Sequence, residues 1–563
     1  MSLEAASSGS TRDTAEVRKR ICGELAELLS TPQGLEQARL LQASGLLGQP
    51  PDGQRGGKLP PSQGQPKDNP YPRPILDFVP VREGEAWHFA RPDGMRLEPR
   101  RSVLPHRICL LGESAAAGMF YRPRVTPASI LARQLAETAG PRQFEVIDLA
   151  LPALTEQGLV EVAVASLQLN PSLLVVFAGN NWVWSGLGPD LGSRAAGRLT
   201  DFQDAATALE ERGVPGLKDL AERRVRERAI RHVDLLARLA GLAKVPLVWV
   251  VPEVNLPDVD VPHPVYWLTG DGVRTWYRAY DRAMSRLAAG EYEAAALAGE
   301  RLIALDGGAC AASQGLLAKA LWGLGRRESA CAAFRAQVDA ASWNHQFRRA
   351  SGVSNAVMAV LRDSCQRLGV TRVDLPDVFD LYCRPALPDR RMFLDHCHLT
   401  LEGMTVAMAA VAAAVVGRLS EAGTNTLDWQ DLARAAKAPG IPAAVAGLAQ
   451  LQAGLYNSNL DYQDRERIEE LFASALEACP ELREALQDYV LARAAPCHPW
   501  LTAACRRNRA SAYELDARVW ERWDLGGDLL ERLCSLLSRY GCDVERQVIA
   551  PWIEQNDIPH EGV

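Results

Sequence analysis

From residue 107 onward the chain alternates short apolar runs with helical segments, which predicts an α/β fold: a parallel sheet covered by helices. Two further observations point the same way. The runs Ser172–Ala178 (SLLVVFA) and Pro246–Pro252 (PLVWVVP) are almost continuously apolar, as strands buried on both faces must be. The polar blocks that could carry chemistry fall at or beyond the C-terminal ends of strands, where open α/β sheets gather their ligands.

In chain order, residues 1–48 form an N-terminal segment with helical periodicity between 12 and 47. Residues 49–74 are dominated by Gly, Pro, Gln and Ser, a composition that buries little apolar surface and reads as a linker. Residues 75–104 read as short strands and turns (ILDFVPV, AWHFA, then a PDG turn). The α/β domain is expected in two parts, 105–272 and 346–421. Its strands are Arg107–Gly112, Phe144–Leu151, Ser172–Ala178, Pro246–Pro252 and Val370–Leu375, with helices near 127–139, 157–168, 204–243 and 402–419. The intervening stretch, 273–345, is too long for a simple crossover and contains a near-repeat: GEYEAAALAGERLIALDGG from Gly290 and GRRESACAAFRAQVDAA from Gly325. Each Gly is followed five residues later by Ala, at Ala295 and Ala330. Small residues where two helices cross suggest tetratricopeptide-like units, against the plainer alternative of a helical insertion with coincidental spacing. Residues 422–563 read as a mainly helical C-terminal module with no recognisable chemistry.

Composition excludes several classes. The 563 residues include 62 Lys+Arg against 69 Asp+Glu, a formal net charge of -7, which argues against nucleic acid as the main partner. The basic stretch Arg223–Arg231 is interrupted by Glu227 and Ala229 and reads as a solvated helix face. The twelve cysteines form no CxxC pair and no regular spacing, so neither a disulfide framework nor a zinc site is expected. The first thirty residues lack an apolar signal core. The longest apolar run, Met404–Val416, is short of the roughly 20 residues a membrane span needs. A cytoplasmic protein without a membrane span is the expectation.

Three blocks hold the candidate chemistry. Directly after the first strand stands LLGESAAAG, where Gly112 permits a sharp turn and small neighbours leave the Ser114 hydroxyl open; serines in such turns also serve as caps. After the third strand stands FAGNNW, whose Asn181 could aim an amide at a developing oxyanion or simply close a turn. Before the last helix stands Asp395-His396-Cys397-His398, in which an Asp three residues ahead of a His can hold the tautomer that accepts a serine proton. Taken singly, that third block also reads as a metal-binding or surface loop. His396 competes with His398 for the base role, and Cys397 lacks the strand–turn setting of a nucleophile. Phe120, Tyr121, Trp182 and Trp184 lie near the blocks, either lining a pocket or packing the core.

The order of the blocks resembles the SGNH (GDSL-like) hydrolase family, in the subgroup bearing a tetratricopeptide-like insertion. LLGESAAAG, VFAGNNW, FLDHCHLTLEGM and the stretch VPEVNLPD carry the likeness, across about residues 100–420. The resemblance implies a flavodoxin-like three-layer sheet with Ser114 as nucleophile, His398 as general base and Asp395 orienting it. It implies an oxyanion hole from the N–H of Ser114, the amide of Asn181 and the N–H of Ala150, which stands where the family usually has Gly. It also places Glu113 where most members have Asp, and Asn180 where they have His. No metal and no organic cofactor are implied. The expected activity is hydrolysis of a small-molecule carboxylic ester through an acyl-serine. The alternatives are acyl transfer to an alcohol or amine, and a non-catalytic interaction protein that binds a protein partner through its helical modules.

Overall fold

The computed structural model describes residues 79–83, 86–90, 96–97, 106–139, 143–182, 199–258, 268, 271–344, 352–419, 427–436, 438–460, 465–494 and 527–542. The N-terminal segment, the linker and Trp184 lie outside the described residues. Strands β1 (Val79–Glu83), β2 (Ala86–Ala90) and β3 (Arg96–Leu97) form a small antiparallel sheet.

The main sheet has five parallel strands: β4 (His106–Gly112), β5 (Phe144–Asp148), β6 (Leu173–Phe177), β7 (Leu247–Val251) and β8 (Thr371–Asp374). Their spatial order is β5-β4-β6-β7-β8, so the first strand in sequence has neighbours on both sides and the chain winds outward in two directions. Such a reversal leaves a crevice at the C-terminal ends of β4 and β6. Strands β6 and β7, read as continuous apolar runs, are buried at every position. The second strand ends at Asp148, short of the expected Leu151; the Asp148 carboxylate accepts the Ala150 N–H at 3.1 Å, while the N–H groups of Leu149 and Leu151 still reach the Leu110 and Gly112 carbonyls of the first.

Helices cover both faces. On one side lie α1 (Pro127–Ala139), which follows β4, and the later helices Leu375–Cys383 and Leu401–Leu419; on the other lie α2 (Glu156–Ser166), α3 (Leu199–Leu242) and the later helix Asn355–Leu368. Thr155 caps α2 by accepting the Gly158 N–H at 3.1 Å, satisfying a donor that the first helical turn leaves orphaned. Helix α3 is interrupted at Gly213, two residues before Pro215, so the expected helix is two segments that meet at a kink.

Between β7 and β8 come four helices, α4 (Asp271–Ala288), α5 (Tyr292–Asp306), α6 (Ala311–Gly323) and α7 (Arg327–Asn344). Ala295 and Ala330, the two repeated alanines, are fully buried. Ala318 of α6 and Phe334 and Val338 of α7 join the apolar cluster on one sheet face, so these two helices extend the domain core, while Trp276 and Ala283 of α4 and Leu302 of α5 belong to a separate cluster. Arg335 of α7 pairs with the buried Glu253 at 2.5 Å, just past the end of β7. The chain then forms α8 (Asn355–Leu368), β8, α9 (Leu375–Cys383) and α10 (Leu401–Leu419). Helix α10 is long and apolar enough by composition to cross a membrane, yet most of it is buried in the core of the opposite face.

Helices α11 (Trp429–Ala435), α12 (Ala443–Leu460), α13 (Arg465–Ala478), α14 (Arg483–Ala494) and α15 (Gly527–Arg539) complete the described chain. Ala449 and Ala453 of α12 and Leu471 of α13 belong to the same apolar cluster as α10. Leu451, Leu455 and Phe472 instead face a second cluster shared with α14 and α15.

Candidate active site

The crevice at the strand ends is built from backbone first. Gly112 ends β4 so close to β6 that a Cβ there would stand 2.1 Å from the Phe177 carbonyl oxygen and 2.5 Å from Ala116 Cβ. Only glycine permits that approach, and it turns Glu113 inward and brings Ser114 to the C-terminal end of the sheet. Glu113 is buried, and one of its carboxyl oxygens accepts the N–H groups of Gly179 (3.2 Å), Asn180 (2.8 Å) and Asn181 (3.2 Å). The block after β4 thereby fixes the backbone of the block after β6. The second oxygen, Oε1, is buried with no hydrogen-bond partner. Burial, only partly offset by the three N–H donors, pushes the Glu113 pKa up to about 8.

Ser114, His398 and Asp395 form one continuous relay. His398 Nε2 lies 2.7 Å from Ser114 Oγ, and its Nδ1 lies 2.5 Å from Asp395 Oδ2. The other carboxylate oxygen of Asp395 accepts the backbone N–H groups of Cys397 (2.8 Å) and His398 (2.7 Å). Asp395 is therefore held as an acceptor on every side, and Nδ1 must carry the imidazole proton. Nε2 is left as the acceptor facing the serine hydroxyl. Burial pulls the Asp395 pKa up, but the adjacent His398 and His396 and the hydrogen bonds win and hold it well below the usual carboxylate range. Exposure is low throughout: 8% for Ser114, 2% for His398 and 0% for Asp395.

The competing side chains of the third block are placed elsewhere. His396 Nδ1 is 3.7 Å from Asp395 Oδ2, burial pushes its pKa down to about 4, and its carbonyl accepts the Asn255 N–H at 2.9 Å. Ser114 meets His398 and not His396. Asp395, Cys397 and His398 have potential metal-ligand atoms within 4.8 Å of one another. Both ring nitrogens of His398 are already engaged, however, and burial raises the Cys397 thiol pKa well above its ordinary value. The donor set suits proton relay better than a cation.

The oxyanion candidates divide. The N–H of Ser114 has no acceptor among the described residues. The Asn181 amide donates one N–H to the Leu154 carbonyl at 3.1 Å, which tethers the loop after β6 to the loop after β5 and leaves the second N–H for a ligand. Ala150, by contrast, spends its N–H on Asp148. Three residues on, Ala153 adopts φ 55, in the left-handed region that an L-residue enters only at a cost. Its N–H has no acceptor among the described residues, and it immediately precedes the Leu154 carbonyl that anchors Asn181. Repeated apolar letters in Leu149-Ala150-Leu151-Pro152-Ala153 hide which alanine is free; the backbone angle separates them.

Of the nearby aromatics, Trp182 is core, edge-on to Trp249 at 5.9 Å. Tyr121 is buried in the opposite cluster. Phe120 contacts the His398 ring at 5.2 Å. A residue without any signal in the sequence joins it: Tyr456 of α12 lies 5.9 Å from His398 and 5.6 Å from Phe120. An aromatic on an Ala- and Leu-rich helix reads as packing, and only the fold brings it to the site. Compared with known proteins, the chain matches no family model, no curated protein and no solved structure.

Proposed function

We propose that the chain is a serine esterase of the SGNH (GDSL-like) type, with a flavodoxin-like sheet and a tetratricopeptide-like insertion at α4–α7. The observation that carries this reading is the unbroken relay from Ser114 Oγ through His398 to a buried, multiply hydrogen-bonded Asp395. Proton removal by His398 Nε2 makes Ser114 Oγ a nucleophile toward an ester carbonyl. The tetrahedral oxyanion would be met by the N–H of Ser114, the spare amide N–H of Asn181 and the N–H of Ala153, which replaces Ala150 in that role. His398 then returns its proton to the departing alcohol, and an acyl-Ser114 remains until water, activated by the same imidazole, releases it. A relay so completely satisfied favours catalysis over a purely docking role for the chain.

Acyl transfer is the second reading, and the small exposure of Ser114 and His398 favours it, because a closed site keeps bulk water from the acyl-enzyme. Product analysis of acetate ester turnover, with and without an added alcohol or amine, separates the two. Free acid as the sole product supports hydrolysis, and acylated acceptor supports transfer. Undiminished turnover by Ser114→Ala would remove both.

A further inference from the structure

The described helices after the α/β domain do more than extend the core: one of them, α12, borders the catalytic histidine. Helix α12 enters the cluster beside α10 through Ala449 and Ala453. Its buried Asn457 donates to the Ala453 carbonyl at 2.8 Å and reaches the Leu394 carbonyl, one residue before Asp395, at 3.5 Å. Arg390, in the catalytic loop, pairs with Glu470 of α13 at 2.7 Å. The helix is thus fastened to the loop that carries Asp395 and His398.

Three rings surround the His398 imidazole, all edge-to-face: Phe120, His396 and Tyr456. Phe120 and His396 are buried, whereas Tyr456 is only partly so. Phe120 takes φ 78, a left-handed backbone for a bulky residue and one tolerated only where surrounding structure enforces it. Its ring also meets Tyr456 edge-on, so the two form one aromatic wall along His398. In any serine acyl transfer the departing alcohol oxygen must take its proton from Nε2 of the base, so the alcohol half of the substrate lies beside that imidazole.

We propose that Tyr456, backed by Phe120, forms the wall of the alcohol-side pocket and restricts the enzyme to esters of short, unbranched alcohols. This rests on the esterase reading above. It makes the C-terminal helices a specificity element of the active site, and Tyr456 a specificity-determining residue rather than a catalytic one.

The test compares kcat/KM for cyclohexyl acetate and methyl acetate in the full-length protein, so that the acyl group is constant and only the alcohol changes. Tyr456→Ala should raise the cyclohexyl-to-methyl ratio about tenfold or more, in the range that small changes of pocket volume produce. Tyr456→Trp should lower it. Leu451→Ala loosens the same helix more than a turn away from Tyr456, and should leave the ratio at the wild-type value. A ratio unmoved in Tyr456→Ala and Tyr456→Trp, or moved equally by Leu451→Ala, would overturn the proposal while methyl acetate turnover kept the esterase reading intact. Failure of the wild type to turn over either ester would remove the esterase reading and the wall with it.

Discussion

Replacing Asp395 by asparagine changes one heavy atom and asks for a large effect. Oδ1 of Asp395 holds two backbone N–H groups and Oδ2 holds His398 Nδ1, all at 2.5–2.8 Å in a fully buried position. An amide has one oxygen for these three donors. Keeping it on the two backbone N–H groups turns the NH2 toward Nδ1, which must then accept, and the imidazole proton moves to Nε2. An Nε2–H facing Ser114 Oγ cannot take the serine proton. We therefore expect Asp395→Asn to lower kcat for p-nitrophenyl acetate by about 10⁴, or about 5.5 kcal/mol, with little change in KM. Because Asn is isosteric and keeps the backbone bonds, the melting temperature should move by only a few degrees. The pH dependence carries its own sign. A carboxyl group held below its ordinary value of 3.8 contributes stability that is present above that pH and lost as pH falls through the lower folded value. Asp395→Asn should therefore flatten the acid limb of a melting-temperature profile below pH about 4. A kcat within tenfold of wild type, in a variant that melts normally, would refute the tautomer argument.

Asn181→Ala should lower kcat by roughly 10²–10³, about 3–4 kcal/mol, and barely alter KM, since the amide bond to the oxyanion strengthens only as charge develops; a doubled KM with intact kcat would contradict it. Ala153→Gly should raise stability in thermal melts by about 0.5–1 kcal/mol, by relieving the positive φ, with ester turnover retained. A lowered melting temperature would count against that backbone assignment. Glu113, neutral at pH 7, ionises as pH rises through about 8, which places a charge one residue from the site of the oxyanion. Since its folded pKa is raised, its contribution to stability is complete below its ordinary 4.5 and is lost as pH rises through about 8. The kcat profile should decline above that pH in wild type and stay level in Glu113→Gln, which keeps an acceptor for the three N–H groups; superimposable profiles would exclude Glu113 as the cause.

What the sequence discloses follows the strength of its local constraints. LLVVF and LVWVV can be little other than strands buried on both faces, so β6 and β7 are legible to within a residue or two. Gly112, Ser114 and Asn181 stand at strand ends, and Asp395 and His398 just before the last long helix of the α/β domain, in an order that already suggests their chemistry. The choice of His398 over His396 rests on a three-residue offset, and the geometry places His398 against Ser114. Less is legible where the determining contact is distant in sequence. Whether Ala150 or Ala153 offers a free N–H depends on Asp148 folding back and on one backbone angle, neither of which alternating Leu and Ala encodes visibly. Glu113 gains its role from three N–H groups more than sixty residues away. Tyr456 reaches His398 only because α12 packs beside α10, a tertiary choice that helical periodicity does not specify.

The central claim is that Ser114 is a nucleophile activated by His398, and the intact mass of the protein after reaction with a fluorophosphonate probe tests it most directly. One adduct per chain in the wild type, mapped to Ser114 and absent from Ser114→Ala and strongly slowed in His398→Ala, is the predicted result. An unmodified wild-type mass, or an adduct that persists in Ser114→Ala, would contradict it.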